Sequence, residues 1–322
     1  MTEKYSIGVD LGGTNIAVGL VDTENKVIDK ISCKTNLPRP ADELERAIAQ
    51  QCITLAEKNG LSLKTDIAWV GIGTPGSVDS STGYVEFNAN FGYHQWELKQ
   101  DMEMLLPCPV YVENDANAAA YGEYIAGGAQ GAKSAVVITL GTGIGSGIII
   151  DGKIFSGFNY AGAELGHTVI VKNGRPCMCG RHGCWEKYAS ARALSEDTCA
   201  AMELHKDNMM WKMVNGDLSR VNAKTAFDAM RAGDALAKQV VDTFLEYVAC
   251  GIVNVINIFQ PEILCIGGGV SKEGDALLVP LRKLVDQEDF ARTNAVRTRI
   301  VTAKLFNDAG IVGAACLGRQ RV

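Results

Sequence analysis

The sequence predicts an α/β protein made of two similar halves, with ligand held in a cleft between them. Three observations carry that prediction. A strand, a glycine-rich turn and a second strand (Tyr5 to Asp10, LGGTN, Ile16 to Val21) recur as Ser134 to Leu140, GTGIGSG and Ile148 to Ile150. Strand-like runs alternate with segments of helical period, as crossover connections require. Glycine clusters follow predicted strands at three places, 12–13, 141–145 and 267–269.

The elements follow in order. Val27 to Cys33 extends the first hairpin as a third strand. Residues 41–59 put Leu44, Ala47, Ile48, Cys52, Leu55 and Ala56 on one helical stripe, and Gly60 suits the position just past a helix end. Ile67 to Ile72 reads as a buried strand leading into GTPG, and Val110 to Glu113 as another that runs into an alanine-rich helix from Asp115. After the second hairpin, closed at Asp151-Gly152, residues 224–257 read as largely helical and stop before Pro261. Glu262 to Ile266 is a strand feeding GGGVS, helices are expected over 276–288 and 308–317, and a strand over 299–303. The domain boundaries expected are 1–118 for an N-terminal α/β domain, completed by a C-terminal helix within 307–322. The second α/β domain, with a cysteine motif and a helical part, covers 119–306.

Composition narrows the class. The chain of 322 residues is 47% hydrophobic, enough for two filled cores. A net charge of −6 with no basic stripe speaks against nucleic acid as a partner. Ten cysteines are too few for a disulfide scaffold and fit a reducing cytoplasm. No charged and apolar leader opens the sequence, and no uninterrupted apolar run reaches the ~20 residues of a membrane helix, so neither export nor a membrane is expected.

The densest chemistry lies in GHTVIVKNGRPCMCGRHGC. Cys177, Cys179 and Cys184 fall within eight residues, with His167 one strand upstream, a set of thiolates and imidazole suited to a tetrahedral zinc ion. The alternative is three reduced, buried cysteines, but Pro176, Gly180, Arg181, His182 and Gly183 make this a polar, turn-rich stretch. With every position filled by protein, such an ion is structural. Glu164, His167 and Glu186 surround it and could hydrogen-bond a polyhydroxylated ligand, although a lone surface glutamate is more often only charge. The glycine clusters expose backbone amides to which polyphosphate can come close. None matches a P-loop or a dinucleotide fingerprint, so a nucleotide gripped by two domains is the better reading. Asp10, just before its turn, could meet magnesium or merely cap the turn. Asp115, at a strand-to-helix junction, is equally a helix-capping residue and the best placed carboxylate to accept a substrate hydroxyl's proton in phosphoryl transfer.

At this point the chain resembles the ROK family of repressors and kinases, within the actin-like ATPase (ribonuclease H-like) superfamily. LGTGIGSGIIIDGKIFSGFNYAGAELGH, residues 140–167, is similar to the family signature, and CMCGRHGCWE to its zinc motif followed by a sugar-binding glutamate. DLGGTN, ENDANAAAYGE and PEILCIGGGVS resemble the first phosphate loop, the catalytic aspartate segment and the adenosine loop. The resemblance implies an actin-like fold and an ATP-dependent hexose kinase acting on the 6-hydroxyl of glucose. N-acetylglucosamine, N-acetylmannosamine and fructose kinases are the alternatives, and polyphosphate is an alternative donor. It implies Asp115 as general base and Asn90, Asn114, Asp115, Glu164, His167 and Glu186 as sugar contacts. Gly12, Gly13, Thr14, Thr142, Gly143, Gly267, Gly268 and Gly269 would hold ATP, with Asp10 near Mg²⁺, and His167, Cys177, Cys179 and Cys184 would hold structural Zn²⁺. Relatives are commonly dimers, so a homodimer or a dimer-based oligomer is expected. The family's short Asn-Leu-Gly-Trp segment is here NANFGYHQW, which spreads Asn88, Asn90 and Trp96 apart, and His182 is a competing zinc ligand. The family's repressors carry a helix-turn-helix region before the first phosphate loop; only nine residues precede Asp10, so the repressor reading is disfavoured.

Overall fold

The computed structural model describes residues 4–88 and 91–320. The chain opens with β1 (Tyr5–Leu11), β2 (Asn15–Val21) and β3 (Val27–Lys34), then α1 (Ala41–Lys58) and β4 (Ile67–Thr74). A small meander, β5 (Ser77–Asp79), β6 (Tyr84–Asn88) and β7 (Tyr93–Trp96), leads to α2 (Leu98–Leu105), β8 (Val110–Asn114) and α3 (Asp115–Ala126). The second half starts with β9 (Ala135–Leu140), β10 (Ile144–Ile150) and β11 (Lys153–Ile154). Helices α4 (Glu186–Ala189), α5 (Ala191–Leu204), α6 (Met209–Met213), α7 (Ala223–Arg231) and α8 (Ala235–Phe259) follow. The chain closes with β12 (Ile263–Gly267), α9 (Asp275–Glu288), β13 (Arg299–Thr302) and α10 (Ala309–Cys316).

Among the described residues the strands form two five-stranded sheets and one three-stranded sheet. Their orders, β3-β2-β1-β4-β8 and β11-β10-β9-β12-β13, are the same arrangement twice. The internal repeat read from two glycine-tipped hairpins is therefore a repeat of whole sheets. In the first sheet β1–β2 and β2–β3 are antiparallel, whereas β1–β4 and β4–β8 are parallel. The parallel steps need crossovers, and α1 supplies one. Its Leu44, Ile48, Cys52, Leu55 and Ala56 are buried, acidic Asp42 and Glu43 sit in the first turn and Lys58 in the last, and Gly60 follows with φ +68°.

The chain divides into two compact units, residues 1–136, 147–163 and 304–322, and residues 137–146 and 164–303. In the first unit α10 packs on β1, β2, β4 and α3. Gly71 allows this close approach, since a Cβ there would lie 1.8 Å from the Ala314 carbonyl oxygen. In the second unit α8 packs against α4, α5, α7 and α9. Its 25 residues are long and apolar enough to cross a membrane, but 56% of its most apolar window is buried within the protein, as suits a core helix.

The structure alters three expectations. The return strand β10 begins at Ile144 rather than Ile148, because Gly145 and Gly147 lower the apparent strand propensity of residues that the ladder nevertheless pairs. The helical region 224–257 is two helices. Gly233 adopts φ +92°, and Asp234 starts α8 afresh by accepting a hydrogen bond from the Ala237 amide at 2.9 Å. The sequence leaves unread the meander β5–β7 and the helices α4 to α6; the strands, α4 and α6 are too short to show a period, whereas α5, at 14 residues, is long enough to have shown one.

Candidate active site

In the first unit Asp10 and Asp115 come within electrostatic reach of each other. Asp10 lies on β1, one residue before its end. Its carboxylate rests on the first turn of α10, where a Cβ on Gly310 would stand 2.8 Å from both Cγ and Oδ2. Burial first, and the charge of Asp115 second, push the Asp10 carboxyl from 3.8 up to about 6. A native carboxyl that binds its proton more tightly than the unfolded chain makes the ligand-free fold lose stability as pH rises through that interval. Between about pH 4 and pH 7 that loss amounts to about 2 kcal/mol. Asp10→Asn is expected to remove this slope, so in urea melts without ligand the variant gains on the wild type as pH rises. A constant difference between the two proteins from pH 4 to 7 would contradict it.

The turn after β1 is held from inside. The Gly12 amide donates to the Asn15 carbonyl at 3.0 Å, the Thr35 hydroxyl donates to the Gly12 carbonyl at 2.7 Å, and the Thr35 amide donates to the Thr14 carbonyl at 3.0 Å. Gly13 and Thr14 are left exposed.

Asn114 and Asp115 sit where β8 becomes α3. Asn114 is the N-cap: its Oδ1 accepts from the amides of Ala116 (2.9 Å) and Asn117 (3.1 Å), while its Nδ2 donates to the Gly76 carbonyl at 3.0 Å. The capping role that sequence left open for Asp115 thus falls mainly to its neighbour. Asp115 accepts the Ala116 amide through Oδ1 at 2.9 Å, and burial raises its carboxyl above the ordinary range. Buried Glu113 steadies the junction, its Oε1 accepting from the Asn114 amide at 2.9 Å and from Asn117 Nδ2 at 3.1 Å. Buried Asn88 holds the facing loop, donating to the Pro75 carbonyl at 2.7 Å. Asn90 lies outside the described residues.

In the second unit the ligand atoms of His167, Cys177, Cys179 and Cys184 all lie within 4.8 Å of one another. His167 Nδ1 is 3.6 Å from Cys177 Sγ, and the Sγ atoms of Cys179 and Cys184 are 3.6 Å apart. A disulfide needs about 2.05 Å, whereas the edges of a tetrahedron around zinc with ~2.3 Å metal–sulfur bonds are roughly 3.8 Å. The donor set and its spacing therefore fit zinc. His182 does not join this group; it is exposed and its backbone pairs with Pro176. Gly180 (φ +84°) and Gly183 (φ +83°) turn the backbone so that the sulfurs converge.

Glu186, on the first turn of α4, joins this cluster to a glycine turn. Its Oε1 lies 3.1 Å from Cys177 Sγ and 3.8 Å from His167 Nδ1, and a Cβ on Gly143 would be 2.5 Å from its Oε2. Trp185, fully buried, fixes the segment by donating from Nε1 to the Tyr247 carbonyl at 2.8 Å on α8. Glu164 is exposed, and its carbonyl accepts the His167 amide at 3.1 Å. The turn 141–143 is closed by the Gly141 amide donating to the Gly143 carbonyl at 3.0 Å, with Thr142 exposed. At the end of β12, Gly267 is buried and Gly268 crosses close over Leu140, with φ +81°. Gly269 borders a cavity of about 300 Å³ lined also by Lys224, Arg231, Lys272 and Glu273.

Reading the sequence missed Thr35, Glu113 and Gly310, and named Asn88 without a role. Thr35 and Gly310 work through contacts between distant parts of the chain that leave no local pattern, whereas Glu113 binds residues one and four positions on and could have been suspected as a carboxylate next to the junction it braces.

Comparison with known proteins finds relatives over the whole length of the chain. The model of the ROK family matches residues 6–321. A glucokinase of Thermotoga maritima is 37% identical, over 100% of this chain and 99% of its own length. Among solved structures, a ROK family glucokinase from Streptomyces griseus in complex with glucose and AMPPNP superposes with TM-score 0.81 at 36% identity, covering 98% of this chain and 99% of that one. A ROK hexokinase from Thermus thermophilus gives TM-score 0.79 at 29% identity, covering 98% of both chains.

Proposed function

The chain belongs to the ROK family, and on that premise we propose that it is an ATP-dependent glucokinase transferring the γ-phosphoryl group of ATP to the 6-hydroxyl of glucose. The observation that carries this reading is the match over essentially the whole length to glucokinases at 36–37% identity, one of them crystallised with glucose and AMPPNP. The disposition of each unit's residues is consistent with it.

Asp115 is the general base in this reading. It accepts the proton of the sugar hydroxyl as that oxygen moves toward phosphorus, and its raised pKa brings it nearer the working pH, where a base combines availability with driving force. Asn114 spends its oxygen on the helix cap, so it offers a sugar an N–H rather than an acceptor. Glu164, His167 and Glu186 are the sugar-contacting residues of the second unit. His167 turns Nδ1 toward Cys177, which leaves Nε2 for a sugar hydroxyl. The exposed amides around Gly13 and Thr142 suit phosphate oxygens, and the cavity beside Gly269 suits the adenosine end. Asp10 is the carboxylate for the magnesium that accompanies ATP and neutralises phosphate charge. His167, Cys177, Cys179 and Cys184 would hold zinc, which would crosslink the segment ending in Glu186.

A sugar panel tests the assignment. Turnover with ATP and equal concentrations of glucose, N-acetylglucosamine, N-acetylmannosamine and fructose is expected to be fastest with glucose. Preference for an N-acetylated sugar would move the chain to another kinase of the family.

A further inference from the structure

We propose that Thr35 is a positioning residue that aims the Gly13 amide at ATP phosphate. The inference rests on the reading of turn 12–14 as a phosphate loop. Thr35 stands just after β3 and is 0% exposed, so it cannot touch the nucleotide itself. Every polar group it has is committed. Its hydroxyl donates to the Gly12 carbonyl at 2.7 Å, its amide donates to the Thr14 carbonyl at 3.0 Å, and its carbonyl accepts from Arg39 Nη1 at 3.3 Å.

The geometry of the peptide unit turns this clamp into a functional device. In a trans peptide the carbonyl of one residue and the N–H of the next point in opposite directions and move as one plane. With the Gly12 carbonyl drawn inward to Thr35, the Gly13 N–H points outward, away from the protein. Gly13 is exposed and a Cβ built on it finds no atom within 4 Å, so nothing on the protein crowds this residue and an anionic oxygen has room to approach the outward amide. A two-glycine sequence has little torsional preference of its own, and without the hydroxyl the 12–13 peptide could rotate and present its carbonyl to the phosphate instead. That would replace attraction by repulsion at the same point.

Thr35→Val keeps the shape and removes the donor, whereas Thr35→Ser keeps the donor. In the whole enzyme, Thr35→Val is expected to raise KM for ATP by ~10-fold, the size of one lost hydrogen bond, with KM for glucose within twofold of wild type. Thr35→Ser is expected to restore ATP binding to within about threefold. Direct titration adds a readout that general damage would not produce: Thr35→Val weakens binding of ATP but leaves binding of adenosine, which has no phosphate, unchanged. Should Val fold poorly, the same titrations on Thr35→Ala decide the matter. Unchanged ATP affinity, equal losses for ATP and adenosine, or failure of serine to restore would each overturn the role of Thr35. A wild-type protein that does not turn over ATP would instead overturn the kinase reading beneath it.

Discussion

Asp115→Asn is expected to lower kcat by about 10²–10⁴-fold, the usual contribution of a positioned general base. Asparagine has the same shape, and its Oδ1 can still accept the Ala116 amide that Asp115 binds at 2.9 Å, so the start of α3 remains intact. The Asn114 cap and its bond to the Gly76 carbonyl do not depend on the charge at 115. KM for glucose should therefore move only a few-fold, and the variant should be no less stable than the wild type at neutral pH, because a buried carboxylate with a raised pKa opposes folding when ionised. Activity within tenfold of the wild type, with sugar binding intact, would remove Asp115 from the role of base.

Loss of the metal is expected to have the next largest effect, and through binding rather than chemistry. Purified protein should contain one zinc per chain. His167→Ala, Cys177→Ser or Cys184→Ser should release it, and His182→Ala should not, since His182 lies outside the convergent set. A structural zinc site is worth about 10–16 kcal/mol in small zinc-dependent peptides. In a chain with two large cores the loss is absorbed locally, by the segment between His167 and Glu186. Chelation should then raise KM for glucose strongly and lower Tm, while adenosine binding by the glycine loop after β12 changes little. The direction follows from Glu186, whose carboxylate lies 3.1 Å from Cys177 Sγ. With the cation gone, thiol protonation and carboxylate repulsion compete for that space, and Glu186 loses its fixed position. A fully active, metal-free enzyme with unchanged glucose KM would defeat this account.

Much of this was legible in the sequence because it is local. The His and Cys residues able to hold a metal fall in a short stretch whose glycines announce its turns, and the two glycine-tipped hairpins show the duplication because each is complete within about 20 residues. The helix start at Asp115 was also visible, though sequence left open whether Asp115 caps it or acts in chemistry; the hydrogen bonds give the cap mainly to Asn114. The meander β5–β7 escaped for the opposite reason. Its strands are three to five residues long and gain their stability from pairing, not from a periodic apolar face.

What the sequence by itself determined, then, is the fold class, the repeat and the family, and it also names the groups proposed here for metal, phosphate and a hydroxyl proton, all of which are written in residue type and short spacing. Tertiary structure alone decided the state and direction of those groups. Asp10 has a carboxyl pushed up to about 6 because Gly310, from the other end of the chain, leaves room for it to be buried beside the charge of Asp115. The Gly12 carbonyl turns inward because Thr35 arrives after two further strands. Burial, charge proximity and the orientation of a peptide plane depend on atoms brought together from distant parts of the chain, and no local period records them.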